Sequence, residues 1–264
     1  IELCVFKPNY IYRFRTSGVD HDPLIKVGTR SHESIIEGQR GLYFHHDSGF
    51  YRYSGGMHVR ISDAISDIVD AIPFSQYDDI ISWNDLKHIK WSIGNVTVSE
   101  EKESVTWRNC VLVYTESSDI WTIYSYANEV RRGITYTRGT TLSRIIATDH
   151  GVVATEDSGN TDLGEPIKYQ IRTKWHNFGS ISQSKIINTL STICEKAQTS
   201  ILEYQINDEL EWKTIGQLTK YMNFFRNQSI RNHRIRFKIT GVSRFESMIF
   251  QGIEILEGIN EGII

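Results

Sequence analysis

Ile167-Lys168-Tyr169-Gln170-Ile171-Arg172-Thr173-Lys174-Trp175 decides the fold class. Ile167, Tyr169, Ile171, Thr173 and Trp175 alternate with Lys168, Gln170, Arg172 and Lys174. Successive side chains of a β-strand point to opposite faces, so this period of two predicts one apolar and one polar face. An antiparallel sheet with one face on a core and the other in water has that pattern. Arg234 to Ile239 repeats it, with Ile235, Phe237 and Ile239 expected inside and Arg234, Arg236 and Lys238 outside. Leu202, Tyr204 and Ile206 alternate with Glu203 and Gln205, and Ile253 and Ile255 flank Glu254.

The rest of the chain agrees. Short runs rich in aromatic and β-branched residues are punctuated by Gly, Asp, Asn and Ser, the signature of a many-stranded sheet protein. Three segments read as hairpins: Gly41 to Tyr53 around Asp47-Ser48-Gly49, Val111 to Tyr126 around Glu116-Ser117-Ser118-Asp119, and Ile145 to Ala154 around Asp149-His150-Gly151. Their spacing of tens of residues fits propeller-like blades, which run about 40–50 residues each, and a plain β-sandwich or meander would show similar hairpins. One helix is expected, Ser62 to Ile72, where Ile65, Ile68, Val69 and Ile72 fall on one stripe. Ser62 is its candidate N-cap and Pro73 its stop. A turn-rich stretch from Asp157 to Pro166 divides the chain, giving residues 1–160 as a partial propeller-like region and 161–264 as a sandwich-like region. Ile1-Glu2-Leu3-Cys4-Val5-Phe6 reads as the interior of a strand, and the expectation is a fragment with further fold upstream.

Composition narrows the function. The 264 residues carry a net charge of −3 and a pI near 6.3, against a nucleic-acid reader working through a broad basic field. No apolar run approaches the roughly 20 residues of a membrane span. Cys4, Cys110 and Cys194 are odd in number and far apart, and each lies in an apolar run; they read as buried free thiols.

Catalytic spacing is absent. The chain has no G-x-G-x-x-G after a strand, no Walker-type lysine loop, no G-x-S-x-G and no H-E-x-x-H. His45-His46 is the one adjacent histidine pair; on a strand the two point apart, and both read as surface or turn residues. Asp157, Asn160, Asp162 and Glu165 offer oxygens to a cation without the EF-hand spacing, so they read as turn-shaping residues. Asp78-Asp79 and Glu100-Glu101 read as solvated surface. No catalytic, cofactor-binding or metal-binding residue is therefore expected, and no cofactor. Three basic groups stand out: Arg131-Arg132, Lys168/Arg172/Lys174 and Arg231/Arg234/Arg236/Lys238. They read either as a wet outer face or as an interface for an acidic partner or a wall that DNA passes.

One ordered set of stretches resembles a known family. Gly41-Leu42-Tyr43, Gly49-Phe50-Tyr51 and Gly55 lead into Ile61-Ser62 and the short helix; Trp121-Thr122-Ile123-Tyr124 follows, and Arg172-Thr173-Lys174-Trp175-His176-Asn177-Phe178-Gly179 comes late. This order resembles the C-terminal part of β-propeller tail proteins, of the nozzle, tube or ring kind, from short-tailed double-stranded-DNA bacteriophages. The resemblance implies a non-enzymatic virion protein, a homo-oligomeric ring (hexameric by expectation) around the DNA exit channel. It implies other tail or connector proteins as partners, transient contact with exiting DNA during genome ejection, no stable membrane insertion, and residence in the virion tail after assembly in the host cytoplasm. It transfers no functional residue. A carbohydrate- or receptor-binding tail module is the second reading, and a propeller glycoside hydrolase the third. Against the last, neither Asp47-Ser48-Gly49 nor Asp149-His150-Gly151 is followed by the Thr-Trp of sialidase-type Asp-box turns, and Ser117 to Thr122 lacks the Gly.

Overall fold

The computed structural model describes residues 3–15, 18–19, 25–100, 103–156, 161–162, 164–179, 184–195, 200–207, 209–219, 221–226, 228–243 and 249–261. The fold is all-β and the sheets are antiparallel, as the alternation predicts. Two compact units divide the chain, 1–158 and 159–264.

The first unit is a series of antiparallel meanders. Strands β1 (Leu3–Lys7), β2 (Tyr10–Arg15) and β3 (Gly18–Val19) form the first. The second is β4 (Ile36–Gly38), β5 (Gly41–His46), β6 (Gly49–Ser54) and β7 (Met57–Arg60), and the third β8 (Ile81–Asn84), β9 (His88–Glu100), β10 (Glu103–Thr115) and β11 (Ile120–Ser125). The fourth is β12 (Val130–Arg138), β13 (Thr141–Thr148) and β14 (Val153–Thr155). The three expected hairpins are the β5–β6, β10–β11 and β13–β14 pairs, closed by His46↔Gly49, Thr115↔Ile120 and Ala147↔Val153.

Each sheet packs on the next through its side chains. Phe6 and Ile11 of the first meet Phe44 and Tyr53 of the second, with the Phe6 and Phe44 rings 5.1 Å apart. Tyr43 and Phe50 of the second join Trp91, Leu112 and Tyr114 of the third. Trp83 and Val113 of the third join Val130 and Ile146 of the fourth. The second and third sheets are thus buried on both faces, which is why apolar residues occupy consecutive positions in Tyr43-Phe44 and Val111-Leu112-Val113. Gly133 lies flat on the Trp83 indole; a Cβ there would come within 2.3 Å of Trp83 Cγ.

The first strands of the second, third and fourth meanders adjoin. Asn84 Nδ2 on β8 donates to the Glu37 carbonyl on β4 at 2.6 Å, and Thr135 Oγ1 on β12 donates to the Asn84 carbonyl at 2.5 Å. At the two ends of the series, one face stays open. The register Leu3↔Phe14 and Lys7↔Tyr10 puts Leu3, 60% exposed, and Tyr10 on the outer face of the first sheet. Ile134, Tyr136 and Val153 stand exposed on the outer face of the fourth.

The expected helix is shorter than its stripe. Asp63–Ile65 is a 3-10 turn and α1 (Ser66–Asp70) has five residues, followed by a second 3-10 segment, Phe74–Asp79. Ile65, Ile68, Val69 and Ile72 are buried as the stripe requires, because the segment packs on the second and third sheets. Ser62 does not cap it with its side chain: its hydroxyl accepts a hydrogen bond from the Phe50 backbone N–H, 3.1 Å, and ties the segment to β6.

The second unit is a two-sheet sandwich. One sheet runs β15-β16-β22-β18-β19, with β15 (Thr161–Asp162), β16 (Glu165–Arg172), β18 (Ser200–Ile206), β19 (Lys213–Leu218) and β22 (Ile235–Ser243). The other is built on β17 (Ser184–Glu195), which pairs with β23 (Ile249–Glu261) on one edge and with β20 (Met222–Phe225) and β21 (Ile230–Asn232) on the other. Ile187, Leu190 and Cys194 from the second sheet meet Leu202, Ile235, Phe237 and Ile239 from the first in one core. Among the described residues no helix is long and apolar enough to cross a membrane.

A candidate interaction surface of stacked cations and indoles

The core-facing half of Arg234–Ile239 behaves as read: Ile235, Phe237 and Ile239 are buried. The other half does more than face water. Arg172 on β16 lies opposite Lys238 on β22, and Glu203 on β18 lies opposite Lys238 from the other side. Two basic stripes more than sixty residues apart in sequence therefore become neighbours on one sheet face.

Two tryptophans fill the gaps between the cations. The Arg234 and Arg236 guanidiniums lie 4.5 and 4.7 Å from the centroid of the Trp175 ring. Arg236, Lys238 and Arg172 lie 5.3, 4.4 and 5.5 Å from the centroid of Trp212. The order along the face is Arg234, Trp175, Arg236, Trp212, Lys238, and cations within about 6 Å of a ring centroid are attracted by its π-face. Arg236 Nε donates to Gln205 Oε1 at 2.6 Å, and Lys238 Nζ pairs with Glu203 at 2.9 Å. So covered, Arg236 is only 8% exposed although it points away from the core.

This corrects the reading of the opening stretch. The alternation ends with β16 at Arg172. Beyond it the backbone departs from the ladder, with Thr173 N–H donating to the Phe237 carbonyl and a single bridge at His176↔Ile235. Trp175 consequently joins the cations rather than the core. Arg231 is also separate, since it lies on β21 in the other sheet, and Arg131 and Arg132 belong to the first unit, on β12.

A second charged cluster escaped the sequence reading. In the first unit Lys90 Nζ lies 2.9 Å from Asp85 Oδ2 and 3.0 Å from Glu156 Oε2, and these three side chains are 1–3% exposed. Trp83 Nε1 donates to Glu156 Oε2 at 3.1 Å and Tyr126 hydroxyl to Glu156 Oε1 at 2.6 Å. Asp85 also accepts from the His88 and Lys87 backbone N–H groups and bonds the His88 ring. Burial pulls the Asp85 carboxyl up, but the hydrogen bonds from His88 and Lys90 outweigh it and hold its pKa well below the usual range. Burial likewise pulls the Lys90 ammonium down, and Glu156 with Asp85 more than reverse this, leaving it raised. Lys90 is shared by the two buried carboxylates, and Arg144 Nε lies 4.0 Å from Asp85 Oδ2. The available signal was Lys90 within Ile89-Lys90-Trp91, a charge on a strand that is buried on both faces.

The remaining candidates separate. His46 sits at the turn, bonded through Nδ1 to the Ser48 hydroxyl at 2.8 Å. His45, expected at the surface, is 1% exposed, with its ring centroid 5.0 Å from Phe50 and 4.7 Å from Tyr77. The two rings do point apart, but the face that His45 takes is covered by the short helical segments, and burial lowers its pKa to about 4. Cys110 and Cys194 are buried and free, while Cys4 is half-buried. Burial pushes the Cys110 thiol up to about 12. Asp78 and Asp79 are exposed. Of the turn acids, Asp157 and Asn160 lie outside the described residues, as do the side chains of Glu100 and Glu101. Among the described residues no three His, Cys, Asp or Glu side chains converge as metal ligands.

No protein-family model matches the chain, and no curated protein does. Among solved structures, one described as a glycoside hydrolase aligns at 10% identity over 94% of this chain and 83% of that one, with a TM-score of 0.24. At that score the likeness carries no argument.

Proposed function

We propose that the chain is a non-enzymatic structural subunit that works by assembly, a ring component of the tail of a short-tailed phage around the DNA exit channel. The observation that carries the assembly part is the open series of meanders. The first strands of its second, third and fourth meanders adjoin as in a propeller, whose blades shield their faces and edges by radial repetition. The series instead ends on two apolar outer faces, Leu3 with Tyr10 and Ile134 with Tyr136 and Val153, suited to further β-sheet packing. The tail role rests on the resemblance of Gly41–Ser62 and Arg172–Gly179, and ring closure follows the cyclic symmetry usual for such components.

Electron microscopy of the purified chain tests this reading. The expected image is a closed ring with protein density against Ile134, Tyr136 and Val153. A monomer with a deep acidic central pocket, or turnover of sialosides or polysaccharides, overturns it.

A further inference from the structure

We infer that the Phe74–Asp79 segment is an acid-released strap: a proton on the His45 ring frees it from the second sheet and uncovers His45 and Phe50 beneath. The inference does not depend on the tail reading.

Little holds the strap down. Ile72 and Ile80 anchor its two ends, at 3% and 1% exposure. Between these anchors Tyr77 alone is buried, while Pro73, Phe74, Ser75, Asp78 and Asp79 are exposed and Gln76 is half-buried. The Tyr77 hydroxyl donates to the Asp47 carbonyl across 3.4 Å. Arg30, paired with Asp47 at 2.9 Å, lies 4.7 Å from the centroid of the Phe74 ring. Arg30 and Asp47 are partly exposed, so water competes for this pair. A segment with one buried side chain opens at lower cost than the sheets under it.

His45 is what the strap seals. Its ring centroid lies 4.7 Å from that of Tyr77 and 5.0 Å from that of Phe50. His45 Nε2 is buried without a hydrogen-bond partner. A neutral ring tolerates that position, but a buried imidazolium needs an acceptor there. The charged groups around the ring supply none. On its own hairpin Asp47 attracts the proton, but Arg30 already takes both carboxylate oxygens, and His46 repels it. On the strap Asp78 and Asp79 are exposed, as is Asp70 on α1. The turn His32–Ser34 spends its Ser34 hydroxyl on the His45 backbone N–H, 3.3 Å, and its His32 and Glu33 are exposed. Burial holds the sealed ring's pKa down to about 4, whereas a ring opened to water titrates near its ordinary value of about 6.5. Acid therefore favours the open strap, by about tenfold between pH 7.5 and pH 5.5.

The test is hydrogen exchange on the full chain, corrected for the intrinsic pH dependence of exchange. Two amides are read: Gln76, which donates to the Pro73 carbonyl at 2.9 Å, and Leu112 on β10, between β9 and β11. Protection at Gln76 is expected to fall about tenfold from pH 7.5 to pH 5.5. At both values it is expected to stay about a hundredfold or more below protection at Leu112, because the strap opens without the core. His45→Phe is expected to abolish the fall at Gln76. Tyr77→Ala is expected to move the His45 titration, followed by NMR, up towards about 6.5. Protection at Gln76 that does not change with pH in the wild-type chain overturns the inference. So does protection at Gln76 equal to that at Leu112, which makes the opening global, or a wild-type His45 that already titrates at its ordinary value.

Discussion

The two units handle positive charge on a strand in opposite ways. Lys90 in the first unit lies between sheets buried on both faces, and Asp85 and Glu156 neutralise it at 2.9 and 3.0 Å. Arg234, Arg236 and Lys238 in the second unit lie on a face with one side covered, and Trp175 and Trp212 cover them there. An indole shields a cation from water without cancelling its charge. The first arrangement is a buried cluster of opposite charges, and the second a stack of cations and rings.

Removing Lys90 breaks the first arrangement most severely. Lys90→Met leaves two carboxylates buried together without the ammonium they share, and a loss of about 3–5 kcal/mol in urea denaturation is expected. Adding Asp85→Asn and Glu156→Gln is expected to recover much of it, since the desolvated charges then disappear as a set. No recovery would mean that packing, not charge balance, holds this site.

Acid distinguishes the units next. His45 has its folded pKa lowered to about 4 from an ordinary 6.5, so the unfolded chain takes up a proton between those values that the folded site refuses. Stability is complete above about pH 6.5 and falls as pH drops towards 4, by roughly 2–3 kcal/mol at pH 4.5. His45→Phe removes that slope. Asp85, with its pKa depressed, contributes above its ordinary value of 3.8 and loses its contribution only in stronger acid, so the two effects occupy separate windows. Hydrogen exchange followed in each unit against pH assigns the first loss to residues around His45.

Trp212→Leu probes the second arrangement. It removes the ring beneath Arg172, Arg236 and Lys238 but keeps apolar volume, and a loss of about 1–2 kcal/mol is expected from the second unit's exchange-protected core. The smallest effect is expected at the exposed Arg132–Glu33 pair, 2.7 Å apart. Glu33→Gln should change stability by about 0.5 kcal/mol or less, and that change should vanish in high salt.

Local pattern determined a good deal of this protein. Period-two alternation in Arg234–Ile239 named the core side chains, and Asp47-Ser48-Gly49, Glu116–Asp119 and Asp149-His150-Gly151 marked three hairpins, because strand faces and tight turns are properties of neighbouring residues. The stripe Ile65, Ile68, Val69 and Ile72 was legible for the same reason. Tertiary structure alone decided which strands adjoin and how many faces of each sheet are covered. That is why His45 is a core residue, why Lys90 is buried with two acids, and why Arg172 meets Lys238. Trp175 is the clearest case: its parity in the opening stretch predicts the core, but parity holds only while the strand lasts, and β16 ends three residues earlier. Pairing and layering depend on residues far apart in sequence, whose meeting no local period records.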